Sequence, residues 1–195
     1  DMSSLRTGIM AGALCPGELM KEVNDKMYMS LTSVYGMTET SPGMTQSRVD
    51  DPFHVRCTTV GREYEFTEVK ILDPATGDEC PDGVVGEVCC RGYNVMKGYY
   101  KNPKASEEVI DKNGFMHSGD LGVRDENGNY RITGRIKDII IRGGENISPK
   151  EVEDYLYKMP GVKDVQVVAV ESKRYGEDVG AFIIQKDGFD LNTQD

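Results

Sequence analysis

Apolar positions recur along the chain in three patterns, and each predicts a different kind of structure. Residues 6–13 (RTGIMAGA) are a short apolar run ending in small residues, and residues 28–35 form another. Between them, in residues 16–27, Leu19, Met20, Val23 and Met27 return at helical spacing. Strand, helix and strand in so short a stretch predict a parallel βαβ unit. Residues 48–62 are polar and without period, and read as irregular. From residue 63 the pattern becomes short alternating runs, 64–72 and 86–91, parted by Asp73-Pro74, Thr76-Gly77 and Pro81-Asp82-Gly83. Closely spaced short strands predict an antiparallel barrel or sandwich. Asn102-Pro103 opens a short helix to residue 110, and Asn127-Gly128 joins strands 121–124 and 130–133 in a hairpin.

The third pattern occupies YRITGRIKDIIIRGGENISPKEVE, residues 130–153. A strand is followed by a charged joint at residues 134–138. Next come an apolar run too short for a helix, at 139–141, and a loop at Gly143, Gly144, Glu145 and Asn146. Ser148-Pro149-Lys150-Glu151 has the spacing of a capping box with proline at the first helical position. The helix it opens carries Val152, Tyr155, Leu156 and Met159 on one face and ends at Pro160-Gly161. Strands follow at 162–170 and 179–185. The piece after Lys137 therefore reads as a small α+β unit with its own partial core, which places the domain boundary at Lys137.

Charge sharpens this picture. The chain has a net charge of -10, yet Arg131, Arg135, Lys137 and Arg142 stand against Asp138 alone in residues 130–142. A cationic knot in an acidic protein points to an anionic ligand such as phosphate, or else to a solvated hairpin. The acidic balance argues against nucleic-acid binding. With 38% hydrophobic and 29% charged residues, a buried core is expected. No apolar run reaches membrane-span length and no signal-peptide pattern is present, which predicts a cytoplasmic location. Five cysteines without a C-x-x-C pair predict reduced thiols, with Cys89 and Cys90 on opposite strand faces. His54 and His117 match no metal spacing.

Two loops carry candidate chemistry. In YGMTET (35–40), Gly36 lets a ligand approach the backbone, Thr38 and Thr40 offer hydroxyls, and Glu39 offers a carboxylate. This is either a magnesium seat near a polyphosphate or a plain turn continued by Pro42-Gly43. In MHSGDLG (116–122), Asp120 at a loop end can accept hydrogen bonds from a ribose diol, or can bond its own backbone.

The motifs GALCP, YGMTET, GEVCCRGYNVMKGYY, MHSGDLG and the 130–153 segment occur in one order. Together they closely resemble the adenylate-forming acyl-CoA synthetase family, with its relatives the aryl-CoA ligases, firefly luciferase and the adenylation domains of peptide synthetases. Residues 91–99 and the RGGENISP loop look most like fatty acyl-CoA synthetases. The resemblance implies the end of a large domain's βαβ layer (1–45), a distorted antiparallel β-barrel subdomain (60–136) and the first part of a small α+β domain (137–195). It implies ATP, magnesium (Mg2+) and coenzyme A acting on a small carboxylic acid, a fatty acid of medium or long chain. Gly12, Ala13 and Leu14 would line an adenine slot, with Tyr35 against the ring beside Gly36 and Met37. Thr38 would bond phosphate, Glu39 would hold magnesium, Asp120 would grip the ribose, and Arg135 would contact ribose and phosphate. Lys137 would be the hinge, Gly143 and Gly144 would approach the coenzyme A tunnel, and Asn146 the nucleotide. The family's phosphate loop, most of its acyl pocket and its C-terminal lysine are not among these residues, so an internal fragment is expected, inactive alone. An aryl-CoA ligase or a peptide-synthetase-type adenylation domain is the rival enzyme, and a nucleotide-binding module without chemistry is the non-enzyme alternative. A dinucleotide oxidoreductase lacks its G-x-G-x-x-G.

Overall fold

Strand β1 (Thr7–Met10), helix α1 (Gly17–Met27) and strand β2 (Ser30–Tyr35) form the expected parallel βαβ unit, with Thr7 opposite Ser30 and Met10 opposite Ser33. The computed structural model describes residues 3–12 and 17–189. These divide into two compact units, the first ending at Ile132 and the second beginning at Thr133. Their secondary structure is mixed α+β.

In the first unit α1 buries Met20 against Met29 and Leu31, with Val23 and Met27 beside them. Leu19 departs from the expected face and is 45% exposed. It lies one residue, about 100° of helix rotation, from Met20. Strands β3 (Thr45–Gln46) and β4 (Arg62–Glu63) extend β2 in antiparallel fashion. The segment between them was expected to be irregular but contains helix α2 (Phe53–Thr58). Phe53 and Cys57, one turn apart, pack onto the Met20 cluster. Arg56 is buried and holds α2 to β2: Nη1 donates to the Leu31 carbonyl at 2.8 Å, and Ser33 Oγ donates to the Arg56 carbonyl at 2.6 Å. Phe53, Val55 and Cys57 alternate rather than recur at helical spacing, so tertiary contacts decide this helix.

Strands β5 (Thr67–Leu72), β6 (Gly86–Gly92), β7 (Met116–Arg124) and β8 (Tyr130–Arg135) form a sheet in that order, with helix α3 (Pro103–Val109) between β6 and β7. Asn102 caps α3 by accepting the Ala105 N–H at 3.2 Å. Cys90 packs with Val69, Val88, Met116 and Tyr130, whereas Cys89 packs with Leu72 and Phe115. The two thiols do face opposite sides of β6, and both are free. Tyr130 exchanges two backbone hydrogen bonds of 2.8 Å with Val60 and Gly61, which curls the antiparallel sheet back toward β4.

The second unit begins inside β8. A 3-10 turn (Ile136–Asp138) leads to β9 (Ile140–Arg142), β10 (Glu145–Ile147), α4 (Pro149–Leu156), β11 (Val162–Ser172) and β12 (Gly176–Gln185). The sheet order is β10-β9-β12-β11. Its core gathers Ile140, Val162, Val165 and Val167 under Val152, Leu156 and Met159. Tyr155, expected on the same face, is 69% exposed. Ser148 stands at the N-cap but makes no side-chain cap, because its hydroxyl donates to the Thr133 carbonyl at 3.0 Å instead. Among the described residues no helix is long and apolar enough to cross a membrane.

Candidate functional site

Strand β2 ends at Tyr35, whose hydroxyl donates to Asp120 Oδ2 at 2.8 Å. Burial pushes the Tyr35 phenol far above its ordinary value, so it stays a donor. Gly36 follows for a reason the sequence did not disclose. A Cβ there would lie 1.9 Å from the Pro42 carbonyl oxygen, so the protein's own backbone already requires glycine at this position. Residues Thr38–Thr40 form a 3-10 turn. Thr40 is wholly buried: its hydroxyl accepts the Met37 N–H at 3.2 Å and donates to the Met37 carbonyl at 3.0 Å. Thr38 is exposed and Glu39 half-buried. The loop after β6 pins this turn twice. Met96 N–H donates to the Glu39 carbonyl, and the Tyr99 hydroxyl donates to Glu39 Oε1, both at 2.8 Å.

Asp120 was expected at a loop end before a strand; it lies within β7. The strand is irregular there. Leu121 pairs with Glu87 and His117 with Cys89, so four steps along β7 face two along β6. Ser118, Gly119 and Asp120 therefore bulge outward, and Gly119 takes φ +73°, a left-handed conformation that favours glycine. A bulge frees backbone N–H groups from the ladder, and side chains satisfy them here. Gly119 N–H donates to Glu87 Oε1 at 2.9 Å, and Asp120 N–H to Ser118 Oγ at 3.0 Å. The other Glu87 oxygen accepts from His117 Nδ1 at 2.7 Å, which requires the proton on Nδ1.

Cys89 Sγ lies 3.4 Å from the same nitrogen, so Glu87, Cys89 and His117 bring three metal-ligand types together. Linear spacing predicted no such grouping, since 28 residues separate Cys89 from His117. The chemistry is that of a hydrogen-bonded network. Both Glu87 oxygens are already engaged, and burial pushes the Cys89 thiol well above its ordinary range, which keeps it protonated.

The remaining candidates fall in several places. Gly12 follows β1, exposed and at φ +83°; Ala13 and Leu14 lie outside the described residues. Arg135 closes β8, and Lys137 is exposed in the 3-10 turn after it. Gly143 and Gly144, read as part of a loop, are the two-residue turn of the β9–β10 hairpin, with φ +60° and +92°. Positive φ at both turn positions is what a type I′ hairpin needs. Asn146, read into the same loop, sits exposed in β10 opposite Ile141. Of the four cations in this region, Arg142 is engaged internally: Nε donates to Asp178 at 2.7 Å and the guanidinium stacks on Tyr175. Sequence reasoning missed Glu87 and Tyr99 as parts of the site. Their partners are 30 and 60 residues away, and nothing in their own segments marks those pairings.

A βαβ edge thus ends in a hydroxyl-bearing turn, with a carboxylate on that turn and another on a facing bulge, and the fold is that of adenylate-forming enzymes of known structure. The chain belongs to the AMP-binding enzyme family, whose profile matches residues 1–100. It is 53% identical over 189 residues to YngI of Bacillus subtilis (strain 168), which carries an acyl-CoA synthetase name. The match covers 96% of this chain and 34% of that protein. It is 41% identical over 189 residues to the mitochondrial medium-chain acyl-CoA ligase ACSF2 of Rattus norvegicus, covering 96% and 31%. Among solved structures it resembles ATP-bound MatB from Rhodopseudomonas palustris, with TM-score 0.87 and 34% identity over 94% of this chain and 36% of that one. The o-succinylbenzoate CoA synthetase of Bacillus subtilis, in complex with its acyl-adenylate, gives TM-score 0.81 and 31% identity over 95% and 37%. The chain spans about a third of the length of the curated relatives it matches.

Proposed function

We propose that this chain is the part of an AMP-forming acyl-CoA ligase that grips the nucleotide and carries the hinge. The whole enzyme converts a carboxylic acid and ATP to acyl-AMP and pyrophosphate, and coenzyme A then displaces AMP. The observation that carries the reading is the Tyr35–Asp120 hydrogen bond beyond β2, in a chain of the AMP-binding family. Ligands of open α/β sheets bind beyond the carboxyl ends of the strands. A carboxylate accepts up to about four hydrogen bonds through two oxygens, a geometry suited to a vicinal diol.

In this reading Asp120 binds the ribose, Tyr35 lies against the adenine, and Thr38 meets phosphate oxygens. Gly12, Ala13, Leu14, Gly36 and Met37 line the nucleotide, Arg135 contacts ribose and phosphate, and Asn146 approaches in the adenylating pose. Lys137 is the pivot for thioester formation, when Gly143 and Gly144 come to the pantetheine arm. Magnesium takes one or two carboxylates together with substrate phosphates and waters. Glu39, half-buried and oriented by Tyr99 beside the exposed Thr38, fits that donor set. The ion would neutralise phosphate charge as the anionic acid approaches.

Likeness to a ligase named for medium-chain acids favours a fatty acid as substrate. Among the described residues four cysteines are free, which favours a reducing compartment such as the cytoplasm. In the full-length ligase, Asp120→Asn should raise KM for ATP about 10–100-fold in ATP–pyrophosphate exchange, as expected when charge-assisted bonds to a diol are weakened. An unchanged KM rejects the ribose role. A panel of alkyl and aryl acids with the same protein decides the substrate class.

A further inference from the structure

We infer that Glu87 is a positioning residue for nucleotide binding: its carboxylate clamps the β7 bulge and so aims Asp120 at the ribose diol. The inference rests on the ribose role proposed for Asp120. A bulge with two extra residues has no ladder to hold its shape, and the freed N–H groups must find other acceptors. Glu87, on the facing strand and only 8% exposed, supplies one for Gly119, the residue immediately before Asp120. Its second oxygen is fixed by His117 Nδ1, at the start of the same bulge. One carboxylate thus ties both the entrance and the middle of the three-residue excursion to β6. Ser118 Oγ holds the Asp120 N–H, and Tyr35 holds the Asp120 carboxylate. Gly119, at φ +73° with no atom within 4 Å of where a Cβ would sit, gains no packing that could replace the clamp. Glu87 need not touch the nucleotide; it acts through the direction of Asp120.

The test compares ATP with 2′,3′-dideoxy-ATP, which lacks the diol, in exchange assays on the full-length ligase. Glu87→Ala is expected to raise KM for ATP about tenfold with little change in kcat, on the scale of one weakened charged hydrogen bond, and to leave KM for the dideoxy nucleotide unchanged. Glu87→Gln should restore most of the affinity, since its amide oxygen can accept from Gly119 while its nitrogen donates to a His117 tautomer with a bare Nδ1. A general loss of structure would instead raise both KM values or lower kcat, and that result overturns the inference. If Glu87→Ala does not fold, His117→Ala and Ser118→Ala carry the test, each expected to raise KM for ATP about threefold with the same selectivity for the diol. Equal effects on both nucleotides overturn the clamp. Asp120→Asn is measured in parallel. A rise there without one in the Glu87 variants defeats the clamp and leaves the nucleotide reading standing, whereas no rise in either defeats both.

Discussion

The Tyr130 phenol is 1% exposed and donates to the Val69 carbonyl at 2.8 Å, across the interior of the antiparallel sheet. Burial pushes it up to about 12, from an ordinary value of 10. Below pH 10 the folded and unfolded chains both hold the proton, and the phenol's contribution to stability is complete. Above pH 10 the unfolded chain releases it while the folded chain retains it, so stability falls as pH rises toward 12. Tyr130→Phe should cost about 1 kcal/mol at pH 7 through the lost hydrogen bond. Between pH 10 and 12 it should also flatten the fall in stability by up to about 1.4 kcal/mol per pH unit. Thermal midpoints of the two proteins across that range measure the difference. The glycines teach a related lesson. Gly36 is compelled by a backbone crossing and Gly143–Gly144 by a turn, so neither needs a ligand to explain it.

At the scale of elements, periodicity located most of the helices and strands and left their partners open. Val69 and Ile71 alternate along β5 and Val88 and Cys90 along β6, and all four line one cluster, although β6 is buried on both faces. Helix α4 followed its spacing at Val152 and Leu156 but not at Tyr155, and it ends at Leu156, short of Met159, which still packs on the same core. Leu156→Ala should therefore destabilise the second unit by about 2 kcal/mol, while Tyr155→Ala should change stability by less than about 0.5 kcal/mol. Hydrogen exchange of the β11 and β12 amides in the full-length protein reads that contrast directly. Helix α2 and the β7 bulge escaped notice for complementary reasons. The helix's apolar residues alternate rather than recur at helical spacing, and the bulge leaves alternation intact on both sides of it.

For the whole molecule, the proposed hinge makes a claim that no single residue or element can. Lys137 is exposed in a 3-10 turn just beyond the start of the second unit. Proline restricts both its own φ and the residue before it. Lys137→Pro in the full-length ligase should leave acyl-AMP formation largely intact and slow thioester formation far more. Single-turnover measurements of the two half-reactions decide this, and equal losses in both would remove Lys137 from the role.

The family was legible from five short motifs in order, the βαβ start and the Asn127-Gly128 hairpin from periodicity and turn chemistry, and the reduced thiols from cysteine spacing. These are local properties, set by neighbouring residues along the chain. Tertiary structure alone decided that Tyr35 meets Asp120 across 85 positions, that Tyr99 holds Glu39, and that Glu87 binds the bulge. Such pairings depend on strand order and on a register shift between β6 and β7, and register is a relation between distant segments that neither records by itself.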